Sequence, residues 1–348
     1  MLKNQQPILD AIDPEIVDRL VSRRAAIRKG ASVSSMVATG LAMGSVPVML
    51  AALSRDVFAQ APSDILDALQ FAFVLENLEN EFYKAVLGTS EVAAQNTAFE
   101  SVRALIPVSM RETFMQIQKH EQQHADFLRT TAIPLFGGAA PTITANDFDF
   151  TGGNGSGTGP FVTATTDLDV LLLTTQAFED TGVRAYKGQA GRFLIAGNTD
   201  ADIAMESALR IHSVEARHAS KIRRIRRLRN PGDTTLRFSG YIRGGGVAAA
   251  GAGNIANPPA EVVAALNLIY GGGTGPVSLP DNNTRHVIFN GTSEVTVDAA
   301  TVGGTSAIGG AAAQAIAATQ AFDEALTKAE VITIVRGFIK DDPARGLP

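Results

Sequence analysis

The chain of 348 residues contains no cysteine, which excludes disulfides and thiolate metal ligands and is compatible with an oxidising compartment. An excess of basic charge is also lacking. Thirty Lys and Arg stand against 35 Asp and Glu, a net charge of −5, and nothing in that balance points to nucleic acid. Histidine is scarce, with only five in all. Four of them, however, fall in two short stretches, KHEQQHADFL and HSVEARHASK, and each stretch contains Glu-x-x-His: Glu121 to His124 and Glu215 to His218. Residues three apart share a helix face, so each pair can offer one oxygen and one nitrogen to a single ion.

The segments upstream resemble each other as well. FVLENLENEFYKAV around Glu76 and AFEDTGVRAYKGQA around Glu179 each read Glu, six residues, then Tyr-Lys. The offset is 103 both from Glu76 to Glu179 and from Tyr83 to Tyr186, and it is 94 both from His124 to His218 and from Ile117 to Ile211. A helical hairpin has been duplicated, each copy pairing a carboxylate helix with a Glu-x-x-His helix.

Six residues in this order, two lone glutamates and two Glu-x-x-His pairs, match the ligand set of ferritin-like di-iron and di-manganese bundles. From about residue 62 to 230 the chain resembles the bacterial ferritin-like domain family that includes exported desiccation-related proteins, and more distantly ferritins, rubrerythrins and manganese catalases. The resemblance implies an all-α fold: a ferritin-like four-helix bundle with a long crossover connection, followed by an irregular Gly/Ala-rich extension. It also implies that Glu76, Glu121, His124, Glu179, Glu215 and His218 hold two divalent metal ions, Fe or Mn. The substrate would be a small molecule (O2, peroxide or Fe2+), turned over by ferroxidase, oxidase or catalase-like activity in oxidative or desiccation stress. An iron-storage cage fits less well, because a long extension and an export signal are foreign to compact cage-forming subunits.

The residues support the site by themselves. Leu69, Phe73, Glu76, Asn80 and Tyr83 fall on one stripe at 3.6-residue periodicity, as do Phe114, Ile117, Glu121, His124 and Leu128. Leu172, Thr175, Glu179 and Tyr186 form the third stripe, and Ile211, Glu215, His218, Ile222 and Ile225 the fourth. Four carboxylates would then meet in one apolar core, where desolvation and repulsion force them to protonate or find cations. Two divalent ions cancel four negative charges, and mixed carboxylate and imidazole ligation suits iron, manganese or zinc better than calcium or magnesium. The plain alternative is a bundle that keeps the pattern without using metal, a non-catalytic envelope or stress-protection scaffold. Tyr83 and Tyr186, two turns after a ligand glutamate, either fill the core or hydrogen-bond a ligand carboxylate; the resemblance adds a redox-active phenol. Glu79, Glu81, Asp126 and Asp180 are expected beside the site or at the surface. His120 and His212 receive no ligand role, since the position 94 after His120 is Val214.

The N-terminal 59 residues read as a leader. Ser22 to Lys29, SRRAAIRK, resembles a twin-arginine export motif, with Ala26 where phenylalanine is usual; residues 30–54 are uncharged, and Val57-Phe58-Ala59 suits signal peptidase before Gln60. Export would place the protein in the periplasm or outside the cell, already folded and metal-loaded. A retained anchor is the alternative and the only route to a membrane, although glycines, serines and Pro47 make the stretch weakly hydrophobic. A surface helix is the third option.

Residues 131–167, rich in Gly, Thr and Asn, form the crossover, whose length lets the second and third helices run parallel. Thr166 or Asp167 caps the third helix. The fourth ends in KIRRIRRLR before Asn230-Pro231-Gly232, cations suited to a helix C-terminus; docking to an anionic polymer, lipid or partner is the alternative. In the extension over 231–348, Pro258-Pro259-Ala260-Glu261 opens a helix to Tyr270, residues 285–289 and 295–297 suggest strands, and Thr327 to Glu330 is a capping box before a helix over 328–339. The extension is expected to pack on the bundle or to mediate assembly, a homo-oligomer being one such assembly; lone His286 has no partner pattern, and glycine stretches at 242–253, 271–275 and 303–310 read as loops. An N-terminal sequence of the mature protein is expected to begin near Gln60; one that retains residues 30–54 identifies an anchor instead.

Overall fold

The computed structural model describes residues 62–195, 197–229, 260–270, 285–289, 294–298 and 325–341. The leader, its cleavage position and the three glycine stretches lie outside these residues. Helix α1 (Pro62–Leu87) is followed by two short helices, α2 (Ala93–Ala98) and α3 (Glu100–Ala104), and then by α4 (Val108–Phe127). The end of α1 is finished by Gly88 at φ +81° and by Arg103, whose Nε donates to the Val86 carbonyl at 2.8 Å and Nη2 to the Ala85 carbonyl at 2.9 Å. These are carbonyls the helix leaves unpaired.

The crossover holds more regular structure than its composition suggests. A π-helical turn (Leu128–Ala132) and the single turn α5 (Ile133–Leu135) prolong α4, and 3-10 turns cover Ala145–Asp147 and Val162–Thr165. Helix α6 (Leu168–Gln189) begins as expected, with the Asp167 side chain accepting from the backbone of Asp169 and Val170. Helix α7 (Thr199–Arg229) completes the bundle.

Contacts set the directions. Asn80 meets Gln118 and Gln122 while Glu76 meets His124, so α1 and α4 are antiparallel. Asp169 meets Arg229 and Asp180 meets Arg223, so α6 and α7 are antiparallel too. Tyr83 bonds Glu179 and Tyr186 bonds Glu76, which makes α1 antiparallel to α6. Helices α4 and α6 therefore run parallel, as a long crossover permits.

Beyond the bundle, α8 (Ala260–Tyr270), an antiparallel hairpin of β1 (Arg285–Phe289) with β2 (Glu294–Asp298), and α9 (Lys328–Val335) appear where the sequence placed them. The Thr327–Glu330 capping box is formed. The last helix stops at Val335, short of the expected 339. There the chain turns to pair with the crossover: Asp149 donates to the Phe338 carbonyl at 2.9 Å, Asn154 donates to that of Gly337 at 2.7 Å, and Phe148 bridges Ile339. These pairings win over one more helical turn because Gly337 can lie against the Gly152 carbonyl, only 2.4 Å from where a Cβ would stand.

The basic end of α7 also differs from expectation. Arg223 and Arg226 are buried, the first paired with Asp180 and the second donating to Gln176, and Tyr270 of α8 donates to Asp180 at 2.8 Å. Helical periodicity turns 222, 223 and 226 toward α6, so these cations serve a helix interface rather than the helix end alone. Phe82 anchors the aromatic part of the core, with ring centroids 4.9 Å from Phe178, 5.7 Å from Phe150 and 6.0 Å from Phe99. No helix among the described residues is long and apolar enough to cross a membrane.

The C-terminal segment docks on α6 through backbone: Leu326 N donates to the Arg184 carbonyl at 3.1 Å, and a Cβ on Gly188 would stand 1.8 Å from the Leu326 oxygen. Gly188→Ala must push that segment away. A loss of about 1–3 kcal/mol in denaturant unfolding is expected, with faster proteolysis between residues 325 and 341.

Candidate metal centre

The four inward stripes meet as the duplication requires. Glu76 on α1, Glu121 and His124 on α4, Glu179 on α6, and Glu215 and His218 on α7 converge in the middle of the bundle. Glu121 and Glu179 are 0% exposed, Glu215 1% and Glu76 2%; His218 is buried and His124 half-buried. The ligand atoms form two groups, each within 4.8 Å: Glu76, Glu121, His124 and Glu215 in one, and Glu121, Glu179, Glu215 and His218 in the other. Glu121 and Glu215 belong to both, the position of carboxylates that would bridge two ions.

Around the first group, Nδ1 of His124 lies 3.1 Å from Glu76 Oε2, 3.2 Å from Glu121 Oε2 and 3.2 Å from Glu215 Oε1. Around the second, Nδ1 of His218 lies 2.8 Å from Glu121 Oε1, 3.3 Å from Glu179 Oε2 and 3.8 Å from Glu215 Oε2. An imidazole nitrogen carries at most one proton and cannot satisfy three oxygens. Accordingly, both oxygens of Glu215, Oε1 of Glu121, Oε2 of Glu179 and Nδ1 of His218 are buried with no hydrogen-bond partner. Buried polar atoms left this way cost about 1–3 kcal/mol each, more when charged. Orphaned oxygens and nitrogens facing one another fit a divalent cation, and the donor set suits iron, manganese or zinc.

Charge tells the same story. Burial, with repulsion among the carboxylates, holds Glu215 well above the usual carboxylate range. Burial pushes Glu121 up to about 7 even though His124 and His218 pull it down. Burial opposes protonation of the two histidines, but the surrounding carboxylates outweigh it, raising His124 and bringing His218 to about 11. Without metal the cluster must hold protons.

The tyrosines are tied crosswise. Tyr83 on α1 donates its hydroxyl to Glu179 on α6, and Tyr186 on α6 donates to Glu76 on α1. Burial first, then the neighbouring carboxylate, raises both phenols, so they stay protonated donors. Of the readings open for these residues, the carboxylate hydrogen bond is the one present.

Two further groups stand beside the centre: His120, to which the repeat assigns no ligand role, and Glu79, one of the acids expected beside the site or at the surface. Nδ1 of His120 is 2.9 Å from Nε2 of His218, their rings stacked at 5.2 Å, and the Gln116 amide is 2.7 Å from Nε2 of His120. With Nδ1 of His218 turned to the carboxylates, its Nε2 proton is held by His120, which fixes the ring as partners of ligating imidazoles do. Glu79, three residues after Glu76, is 6% exposed, and burial followed by the charges of Glu215, Glu179, Glu121 and Glu76 raises it well above the usual range. The repeat sets His120 aside, since its counterpart is Val214; the counterpart of Glu79 is Gly182. The helical spacing from His124 and Glu76 was the available signal. Glu81 is buried and bonded by Asn80 and Lys84, Asp126 pairs with Arg129, and Asp180 lies in the arginine interface. His212 is outside the cluster, pushed down to about 4 by burial and then Lys187.

Residues 64–227 match the family model of the ferritin-like domain, and this part of the chain is a ferritin-like domain. No curated protein and no solved structure matches the chain.

The titrations predict the pH behaviour of metal-free protein. Glu121, Glu215 and Glu79 are raised in the folded state, as are both histidines, so the folded state binds more protons than the unfolded one above about pH 6.5. Stability is therefore lost as pH rises through the folded values, about 7 for Glu121 and about 11 for His218. His120 and His212, lowered, act only below that window. The Tm of chelator-treated protein is expected to fall from about pH 6.5 to about pH 9, and divalent metal is expected to abolish the fall.

Proposed function

We propose that this chain is an exported metalloprotein of the ferritin-like type whose six residues hold two iron or manganese ions for redox turnover of a small oxidant or of Fe2+. The observation that carries the reading is the overlap of the two ligand groups, with Glu121 and Glu215 common to both and their inner oxygens unsatisfied. Glu76 and His124 would complete one ion's ligands, and Glu179 and His218 the other's. Two such ions supply a pair of electrons to O2 or peroxide, or take electrons from Fe2+.

The rest of the work falls to the chain. The crosswise tyrosines hold Glu76 and Glu179 in place, and their phenols are positioned for proton or electron transfer at those carboxylates. The apolar residues around the cluster exclude bulk water. A cavity of about 30 Å³, room for a molecule or two the size of water, is lined by Leu69, Ala72, Leu128, Ala208, Ile211 and Tyr186. Its apolar wall suits a small apolar molecule such as O2. Export rests on the twin-arginine-like SRRAAIRK segment and would carry the bundle out already loaded.

A second reading, that the metals only brace the fold, is favoured by the repulsion they would relieve. Metal counting on purified protein, with Fe(II) oxidation and peroxide loss followed in parallel, separates the two. Two ions per chain with turnover are expected, and Glu121→Ala and His124→Ala should weaken metal binding at least about tenfold and abolish turnover. Turnover that survives both changes defeats the enzyme reading, whereas two ions without turnover assign the bracing role.

A further inference from the structure

The two halves of the centre are not equivalent, although the duplication would make them so. Position 79 in the first copy corresponds to 182 in the second, where the chain has glycine. A Cβ on Gly182 would stand 3.3 Å from Glu79 Oε1 and 3.4 Å from Glu215 Oε2. The missing side chain thus leaves open the space that separates Glu79 from a shared carboxylate. Glu79 is buried, and among the described residues it has no hydrogen-bond or ion-pair partner. Glu79 lies just outside both groups of mutually close ligand atoms, across this space from Glu215 Oε2. Glu215 Oε2 faces His218, and His218 alone of the two histidines has a supporting imidazole, that of His120. All these asymmetries fall on the same half.

We propose that Glu79 is a seventh metal ligand, entering the sphere of the ion held by Glu121, Glu179, Glu215 and His218 through the gap left by Gly182, and that it makes this ion the more tightly bound of the two. The inference rests on the two-ion reading above. Its chemistry is that of a carboxylate added to one hard-cation site and not the other, so the sites differ in net charge and in oxygen count, and loading is ordered. The ion beside Glu76 and His124 then binds second and leaves first. A buried, unpartnered carboxylate is costly in a core; one placed within reach of a dication has its charge answered.

Cobalt(II) titration of the metal-free full chain tests this, with chelator competition for affinity and visible d–d absorption for coordination number. Wild type is expected to take two ions in two resolved phases. Glu79→Gln, nearly isosteric, should weaken the tighter phase about tenfold or more, change its d–d intensity, and leave the weaker phase alone. Gly182→Ala, which pushes on the Glu79 carboxylate without removing it, should shift the same phase in the same direction. Glu81→Gln, at a buried carboxylate already bonded to Asn80 and Lys84, should alter neither phase. Metal-free Glu79→Gln should melt no lower than wild type, whereas a residue that merely packs would lower the melt and spare the spectrum. Two phases with unchanged affinities and spectra in Glu79→Gln overturn the proposal and leave the two-ion reading standing. A wild type that binds no cobalt overturns both.

Discussion

Repulsion among carboxylates packed into a dry core is the constraint on which the rest of this molecule depends. Glu76, Glu121, Glu179 and Glu215 are each 2% exposed or less, and among the described residues no arginine or lysine pairs with any of them. The charges are met by two imidazoles and two phenols, too few donors for eight oxygens. Where the fold does bury arginine it uses the guanidiniums elsewhere: Arg184 donates to the Ile269 carbonyl of α8, and Arg223 and Arg226 lie against Asp180 and Gln176 in a separate interface of α6 and α7. Cations are thus available to the bundle interior and are not used at the carboxylate cluster. A core that neutralises one acid with arginine and leaves four others to share histidines is arranged for a ligand that arrives later.

Duplication explains how a short hairpin could build such a centre, and later divergence explains its shape. Each copy contributes a lone glutamate, a Glu-x-x-His pair and a tyrosine, and the tyrosine of each copy serves the glutamate of the other. That exchange ties α1 to α6 and makes the site impossible to complete from one hairpin. The copies then parted on their outer faces. Asn77 of α1 is half-buried, while its counterpart Asp180 on α6 is buried under Arg223 and Tyr270; Lys84 has its counterpart in buried Lys187. Helix α6 is covered on nearly every side because the C-terminal segment and α8 pack on it, while α1 meets that segment through Lys328, which bonds Asp67 and lies over the Phe71 ring. The extension is therefore part of what keeps one half of the centre dry.

What could be read from the sequence followed from what was written twice. The convergence of the six candidate ligands and the two tyrosines rests on periodicity plus repeat, two independent signals that agree, and the crossover that sets α4 parallel to α6 rests on a long stretch without helical period. Capping chemistry placed the starts of α6 and α9, since Asp167 and the Thr327–Glu330 pair act locally. The residues that escaped are those whose environment depends on distant chain. Arg223 and Arg226 look the same in a helix tail whether they face water or Asp180. The early end of α9 is decided by backbone pairing with residues 148–154, far away in sequence. His120 stood at correct helical spacing, but a criterion built on the repeat discards whatever the repeat lacks.

The same reasoning separates the ligand set from the chemistry it serves. Symmetry-related residues can define where charge is needed, because two equivalent half-sites demand equal neutralisation. Reactivity at a pair of ions turns on what makes them unequal: an added carboxylate, a supported imidazole, an apolar pocket on one side. Here His120 falls on the half that contains Glu179 and His218, the half to which Glu79 is proposed to belong, whereas the cavity borders Tyr186 and, through it, the half that contains Glu76. On that proposal one half would be the more firmly held, and the other would be the one that a small apolar molecule approaches. A centre so divided has a fixed end and an open end, a division of labour that identical hairpins could not supply.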